Sequence, residues 1–166
     1  TNPAGKNFIT ETIAADLGTT YDKLTQADFD SITSLVIKSA KVPTKTWTAM
    51  KELGNLRNLE TLDLTGFRHA DLEKAPDEFF QIPSVKNLRI YSDAETIYAK
   101  VFLATGVEDL YIKSSAKAAV QQLIIPDEIG NMSKLKKLNI ELATGTVRKM
   151  ILPATMQSLT HMEHLE

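Results

Sequence analysis

Apolar residues recur along the chain in one motif, apolar-x-x-Leu-x-apolar: Ile32, Leu35, Ile37; Leu59, Leu62, Leu64; Val85, Leu88, Ile90; Val107, Leu110, Ile112; and Leu135, Leu138, Ile140. Met162 and Leu165 begin a sixth copy. The middle leucines fall at 35, 62, 88, 110, 138 and 165, in steps of 27, 26, 22, 28 and 27 residues. The closing Leu-x-apolar alternates with period two, which predicts a short strand whose Leu and Ile face inward and whose intervening residue faces out. Ahead of each strand the apolar spacing changes to three, as in Met50-Leu53-Leu56-Leu59, Pro76-Phe79-Ile82-Val85, Tyr98-Val101-Ala104-Val107, Pro126-Ile129-Met132-Leu135 and Pro153-Met156-Leu159-Met162. Period three suits a 3₁₀ turn or short helix with one face under the strand. The prolines fit a first helical position, and the acids in Asp77-Glu78 and Asp127-Glu128 complement the helix dipole, so they read as structural rather than catalytic.

No single repeat can bury its own apolar face, so the repeats must stack, with neighbouring strands about 4.8 Å apart in a parallel sheet. The expected class is α/β: a solenoid with short parallel strands on its concave face, short helices and 3₁₀ turns on its convex face, and a helical N-terminal cap. With 166 residues, 43% of them hydrophobic and 24% charged, the chain can bury a core as a single domain over 1–166. Within it the cap is expected at 8–31 and about five to six repeats at 32–166.

The segment IPDEIGNMSKLKKLNI at 125–140 closely resembles the leucine-rich repeat, and LGNLRNLETLDL at 53–64 resembles it nearly as well. The region 7–37 is similar to the N-terminal cap of internalin-like bacterial surface proteins: a short helix ending at Leu17-Gly18, then a threonine-led helix carried by Thr25, Ala27, Asp28, Phe29, Ile32, Thr33 and Leu35. Independently of that likeness, Thr25 can cap a helix, and Phe29 and Ile32 sit one turn apart. The resemblance implies an exported protein, extracellular or at the cell surface, with a lipid anchor ahead of residue 1 in some members and protein partners outside the cell. The chain departs from the family where asparagine normally follows each strand. Those positions hold Ala40, Phe67, Asp93, Ser115 and Ala143, so the turns must be closed otherwise, and the longer connections 113–125 and 141–152 are expected to compensate.

Charge narrows the partners. Nineteen basic against 21 acidic residues give a net charge of −2, with no basic footprint for nucleic acid or an anionic membrane. No apolar run approaches the roughly 20 residues of a membrane span, and no signal-peptide pattern opens the chain, so an exported protein would be met here in mature form. The absence of cysteine excludes disulfides, thiolate metal sites and a thiol nucleophile, without deciding the compartment. The seven glycines form no phosphate-cradling motif, Ser114-Ser115 lacks a nucleophile elbow, and no cofactor or enzymatic activity is expected. His161 and His164 lack a third ligand, so no metal site is expected there. His69 reads as a solvated residue of a polar turn, Trp47 as packed beneath the convex side, and Gly54-Asn55 and Gly130-Asn131 as turn-forming pairs.

Function is then expected on the outward strand residues. The central column is Val36, Asp63, Arg89, Tyr111 and Asn139, flanked by Ser34, Thr61, Asn87, Asp109 and Lys137 on one side and Lys38, Thr65, Tyr91, Lys113 and Glu141 on the other. Arg89, Tyr91, Tyr111 and Lys113 cluster on neighbouring strands, with Asp63 and Asn139 beside them, and Tyr and Arg are the residues enriched at interface hot spots. Two ligands fit: a protein, or a glycan stacked on exposed rings; alternatively the tyrosines simply favour strands. At the far end the pattern stops within an apolar repeat. That leaves three outcomes: end-to-end self-association, closure by the chain's own C-terminal residues, or a chain cut from a longer repeat protein. Leu165-Glu166 fits both a sixth repeat and the remnant of a purification tag.

Overall fold

The computed structural model describes residues 6, 8–37, 55–115, 121–143 and 149–166. Six short strands form one all-parallel sheet in the order β1 (Ser34–Val36), β2 (Thr61–Leu64), β3 (Asn87–Ser92), β4 (Asp109–Ser114), β6 (Lys137–Glu141) and β8 (His164–Leu165). Register follows the repeat: Leu35, Leu62, Leu88, Leu110, Leu138 and Leu165 are successive partners across the sheet. The first five are buried, as are Ile37, Leu64, Ile90, Ile112 and Ile140, because each lies between neighbouring layers of the stack.

The connections carry the period-three turns. Asp77–Phe79, Ala99–Leu103, Asp127–Asn131 and Ala154–Ser158 are 3₁₀ helices, whose i to i+3 bonding matches the spacing of their apolar residues. Phe79, Ile82, Val85, Val101, Ile129 and Met132 are buried beneath the sheet. Pro76, Pro126 and Pro153 stand one residue before these turns, as extended caps rather than in the expected first helical position. There each proline needs no N–H, and its carbonyl accepts the first turn bond, from Phe79, Ile129 or Met156.

The strand entries share a second regularity. One carbonyl accepts two successive N–H groups from the next repeat: Thr33 from Glu60 and Thr61, Glu60 from Lys86 and Asn87, Lys86 from Glu108 and Asp109, Glu108 from Lys136 and Lys137, and Lys136 from Glu163 and His164, all at 2.8–3.0 Å. Both lone pairs of each carbonyl are thereby used. The side chains of this column, from residue 60 on, alternate in sign: Glu60, Lys86, Glu108, Lys136, Glu163. Lys86 pairs with Glu60 at 3.1 Å and Lys136 with Glu108 at 2.6 Å.

Helices precede the first strand. The helix α1 (Phe8–Asp16) ends at Gly18, which adopts φ +65°, and the Gly18 and Thr19 N–H groups close back onto Ala15 and Ala14 carbonyls. This αL stop is accessible to glycine at little cost. The helix α2 (Gln26–Ser31) begins with a reciprocal capping box. The Thr25 hydroxyl accepts from the Asp28 N–H, and the Asp28 carboxylate accepts from the Thr25 N–H and hydroxyl. Those bonds, chiefly from Thr25, hold the Asp28 carboxyl below the usual range. Ile9, Ile13, Leu24 and Phe29 from this region join the core.

Three features depart from expectation. The long connections contain a second parallel sheet, β5 (Gln122–Ile124) with β7 (Lys149–Ile151), extended by a bridge between Thr96 and Ile124. The turn at 68–74 holds the short helix α3 (His69–Leu72), and His69 is not a free solvated residue: its ring packs edge-on against Tyr98 at 5.1 Å and its Nδ1 is buried. Gly130 has no positive φ. Its want of a side chain serves close packing, since a Cβ there would lie 3.0 Å from Thr155 Cβ and 3.1 Å from Ser158 Oγ of the next repeat. Trp47, Lys38, Ala40 and Gly54 lie outside the described residues.

Where the family places asparagine, other groups close the turns. The buried Ser114 hydroxyl accepts from the Ala143 N–H at 2.8 Å, Ser92 exchanges bonds with Ala94, and the Asp93 carboxylate accepts from the His69 N–H. Phe67 fills its position as a core residue. At the far end, no described residue pairs with the outer side of β8, and Leu165 is 48% exposed, so of the three outcomes closure by the chain's own C-terminal residues is not seen among them.

Candidate binding surface

Because parallel register stacks equivalent residues, the central outward column places Asp63 beside Arg89, Arg89 beside Tyr111, and Tyr111 beside Asn139. These side chains join into one network. Thr65 donates its N–H and hydroxyl to Asp63 Oδ1, at 2.9 and 2.6 Å. The other oxygen, Oδ2, lies 3.4 Å from Arg89 Nε. The Arg89 guanidinium lies over the Tyr111 ring, 4.4 Å from its centroid, and the Tyr111 hydroxyl donates to Glu141. Glu141 in turn pairs with Lys113 at 2.8 Å. Four strands, β2, β3, β4 and β6, are thus laced together on the open face.

Titration behaviour reflects this lacing. The hydrogen bond from Lys113, then that from Tyr111, holds the Glu141 carboxyl below its ordinary value, and the same bond to Glu141 raises Lys113. Desolvation first, then donation to Glu141, pushes the Tyr111 hydroxyl up, so it remains a neutral donor. Two carboxylates, one guanidinium and one ammonium sum locally to zero.

Of the six residues expected on this surface, Asp63, Arg89, Tyr111 and Lys113 enter the network. Asn139 turns toward the chain end, donating to Glu166 at 3.1 Å. Tyr91 follows Ile90 opposite Lys113, half-buried, and its side chain makes no hydrogen bond or ring contact with the described residues. Glu141 and Thr65, noted only as flanking positions, prove to be the links. The signal was available: Glu141 is the strand partner of Lys113, with opposite charge. Asp109 and Lys137 are also register partners, yet no ion pair within 4.0 Å joins them. His161 and His164 diverge, one ring nitrogen against the Ser133 carbonyl and the other toward Glu166.

A second feature lies between successive turns. A cleft of about 460 Å³ is lined by His69, Glu73, Ile97, Tyr98, Pro126 and Glu128, among others. Tyr98 is 7% exposed, and its hydroxyl and His69 Nδ1 are buried without hydrogen-bond partners. Burial pushes the Tyr98 pKa well up, so its hydroxyl stays protonated.

No family model and no curated protein sequence matches the chain. Among solved structures it is similar to a leucine-rich-repeat protein of Leptospira interrogans, at 20% identity and a TM-score of 0.60 over 85% of this chain. The chain spans about a third of that protein's length, 32%. It is also similar to internalin C2 of Listeria monocytogenes (16% identity, TM-score 0.41, 96% of this chain and 92% of that one) and to another internalin of the same organism (14%, 0.34, 96% and 68%).

Proposed function

We propose that this leucine-rich-repeat solenoid is a non-enzymatic protein-recognition module working outside a bacterial cell, with the open face of its six-stranded sheet as the contact surface. The observation that carries the reading is the Asp63–Arg89–Tyr111–Glu141–Lys113 network. It presents an arginine and a tyrosine at the middle of that face, already ordered, so binding would cost little further side-chain entropy. The location is supported by the likeness of the 7–37 segment to the caps of exported repeat proteins. The single domain, with its cap at 8–31, belongs to the same reading.

Glycan stacking is less well supported, because a sugar needs a bare ring face and Arg89 covers one face of Tyr111. The test is retention of extracellular host or matrix proteins on immobilised chain, compared between wild type, Arg89→Glu, Tyr111→Ala and Lys149→Glu on the second sheet. A protein retained by wild type and Lys149→Glu but lost from the two open-face variants supports the reading. Retention indifferent to both open-face changes, with circular dichroism unaltered, contradicts it.

A further inference from the structure

We infer that Arg89 is a preorganised receptor for a carboxylate, so that the partner docks an Asp or Glu side chain onto it. The inference rests on the open face being the contact surface. Arg89 has three ways to be satisfied: its Nε, its flat face and its two Nη groups. The first two are occupied, Nε facing the Asp63 carboxylate in an ion pair at 3.4 Å and the face lying 4.4 Å from the Tyr111 ring centroid. Its Nη groups hydrogen-bond to none of the described residues, and the side chain remains 48% exposed. What is left is the fork edge, the part of a guanidinium that matches a planar carboxylate with two parallel N–H bonds.

The surroundings fix that edge. Asp63 cannot swing away, because its other oxygen is held by both Thr65 donors, and Tyr111 is tethered through its hydroxyl to Glu141. Asp63 and Tyr111 are therefore positioning residues, acting through Arg89. Lys113, by contrast, spends its charge on Glu141.

Charge sets the class of anion. With Asp63 and Glu141 already balancing Arg89 and Lys113, the patch has no surplus positive charge. A carboxylate brings one negative charge, against nearly two for a phosphate at neutral pH, and so meets less repulsion from the two resident acids.

The test selects binders to the full-length immobilised chain from a random twelve-residue peptide library, then measures affinity for the variants. Peptides whose binding is lost on Tyr111→Ala are those on the open face. The expected result is that these share an Asp or Glu, that changing it to Asn or Gln weakens them about tenfold or more, and that Arg89→Gln does the same. Arg89→Lys recovers little, since an ammonium offers no fork, while Lys137→Gln on the same face leaves affinity unchanged. Thr65→Val, which removes the hydroxyl donor holding Asp63 without changing the charge of the patch, weakens the acidic peptides more than their amide versions, a difference that a merely structural role would not produce. Open-face peptides with no acidic preference overturn this inference and leave the protein-recognition reading standing. Tighter binding of the same peptide with phosphoserine in place of its acid overturns the carboxylate assignment. Failure to select any open-face peptide counts against both.

Discussion

The repeat offers one perturbation that can be made six times at an equivalent place: replacing the middle leucine of each motif by alanine. Leu110 shows how large the effect should be. It is fully buried on β4, between β3 and β6, so the change removes buried methyl groups and leaves a cavity that two flanking strands and the turn beneath hold open. Transfer and cavity terms together put the cost at about 3–5 kcal/mol, a large part of the roughly 5–15 kcal/mol available to a domain. Leu62 and Leu88 are equally enclosed between two strands and should fall in the same range, whereas Leu35, as buried but on the edge strand β1 with β2 as its strand neighbour, belongs near the lower end. Leu138 is also buried, but one of its neighbours is the two-residue strand β8, which can relax inward, so its cost belongs near the lower end. Leu165 is 48% exposed on that last strand and should cost no more than about 1 kcal/mol. Urea unfolding followed by circular dichroism gives each midpoint, and a constant slope confirms that stability alone has changed. A Leu165→Ala cost equal to that of Leu110→Ala would refute the reasoning, since it would mean that the outer side of β8 is covered in solution.

Four further outcomes are expected. Tyr98→Phe removes a buried hydroxyl that has no partner, so stability should hold or rise by up to about 1 kcal/mol; a loss of that size in thermal unfolding would show that the hydroxyl is bonded, for instance to an internal water. Gly130→Ala should destabilise by about 1–2 kcal/mol because its Cβ meets the neighbouring turn at 3.0 Å, outweighing the entropy gained in the unfolded chain; greater stability would mean that the turn yields freely. Thr25→Ala should cost about 1 kcal/mol through loss of the helix cap, with Thr25→Ser retaining most of it. In an NMR pH titration, the Glu141 carboxyl of Lys113→Gln should titrate higher than in wild type. A carboxyl depressed on folding stabilises above its unfolded pKa, and that contribution fades as acid protonates it; an unmoved titration would remove Lys113 as the chief cause.

The long sheet was legible because its signal is redundant. Each Leu-x-apolar strand repeats its neighbour, and burial on one face forces the alternation to appear in the residues themselves. The second sheet left a fainter trace: Ile124-Ile125-Pro126 and Ile151-Leu152-Pro153 place two apolar residues before a proline, but three residues cannot distinguish a strand from a loop anchored to the core. The polar sequence around His69 says nothing of Tyr98, 29 positions later, against which its ring folds. Gly130 carries no local sign of its packing role, since its close neighbour Thr155 lies in the next repeat. The candidate surface was half readable. Register placed Arg89 beside Tyr111 and Asp63, whereas the link through Glu141 depends on side-chain reach, which column membership alone does not specify.

The alternating column Glu60, Lys86, Glu108, Lys136, Glu163 bears on how such an array could grow. Duplicating one repeat in place would set lysine beside lysine or glutamate beside glutamate at the new junction, whereas duplicating two in tandem preserves every neighbour. Exposed pairs of this kind are screened by solvent, so the bias is mild per junction. It nevertheless makes the two-repeat block, rather than the single turn of the solenoid, the electrostatically neutral step for insertion, deletion or recombination in this chain.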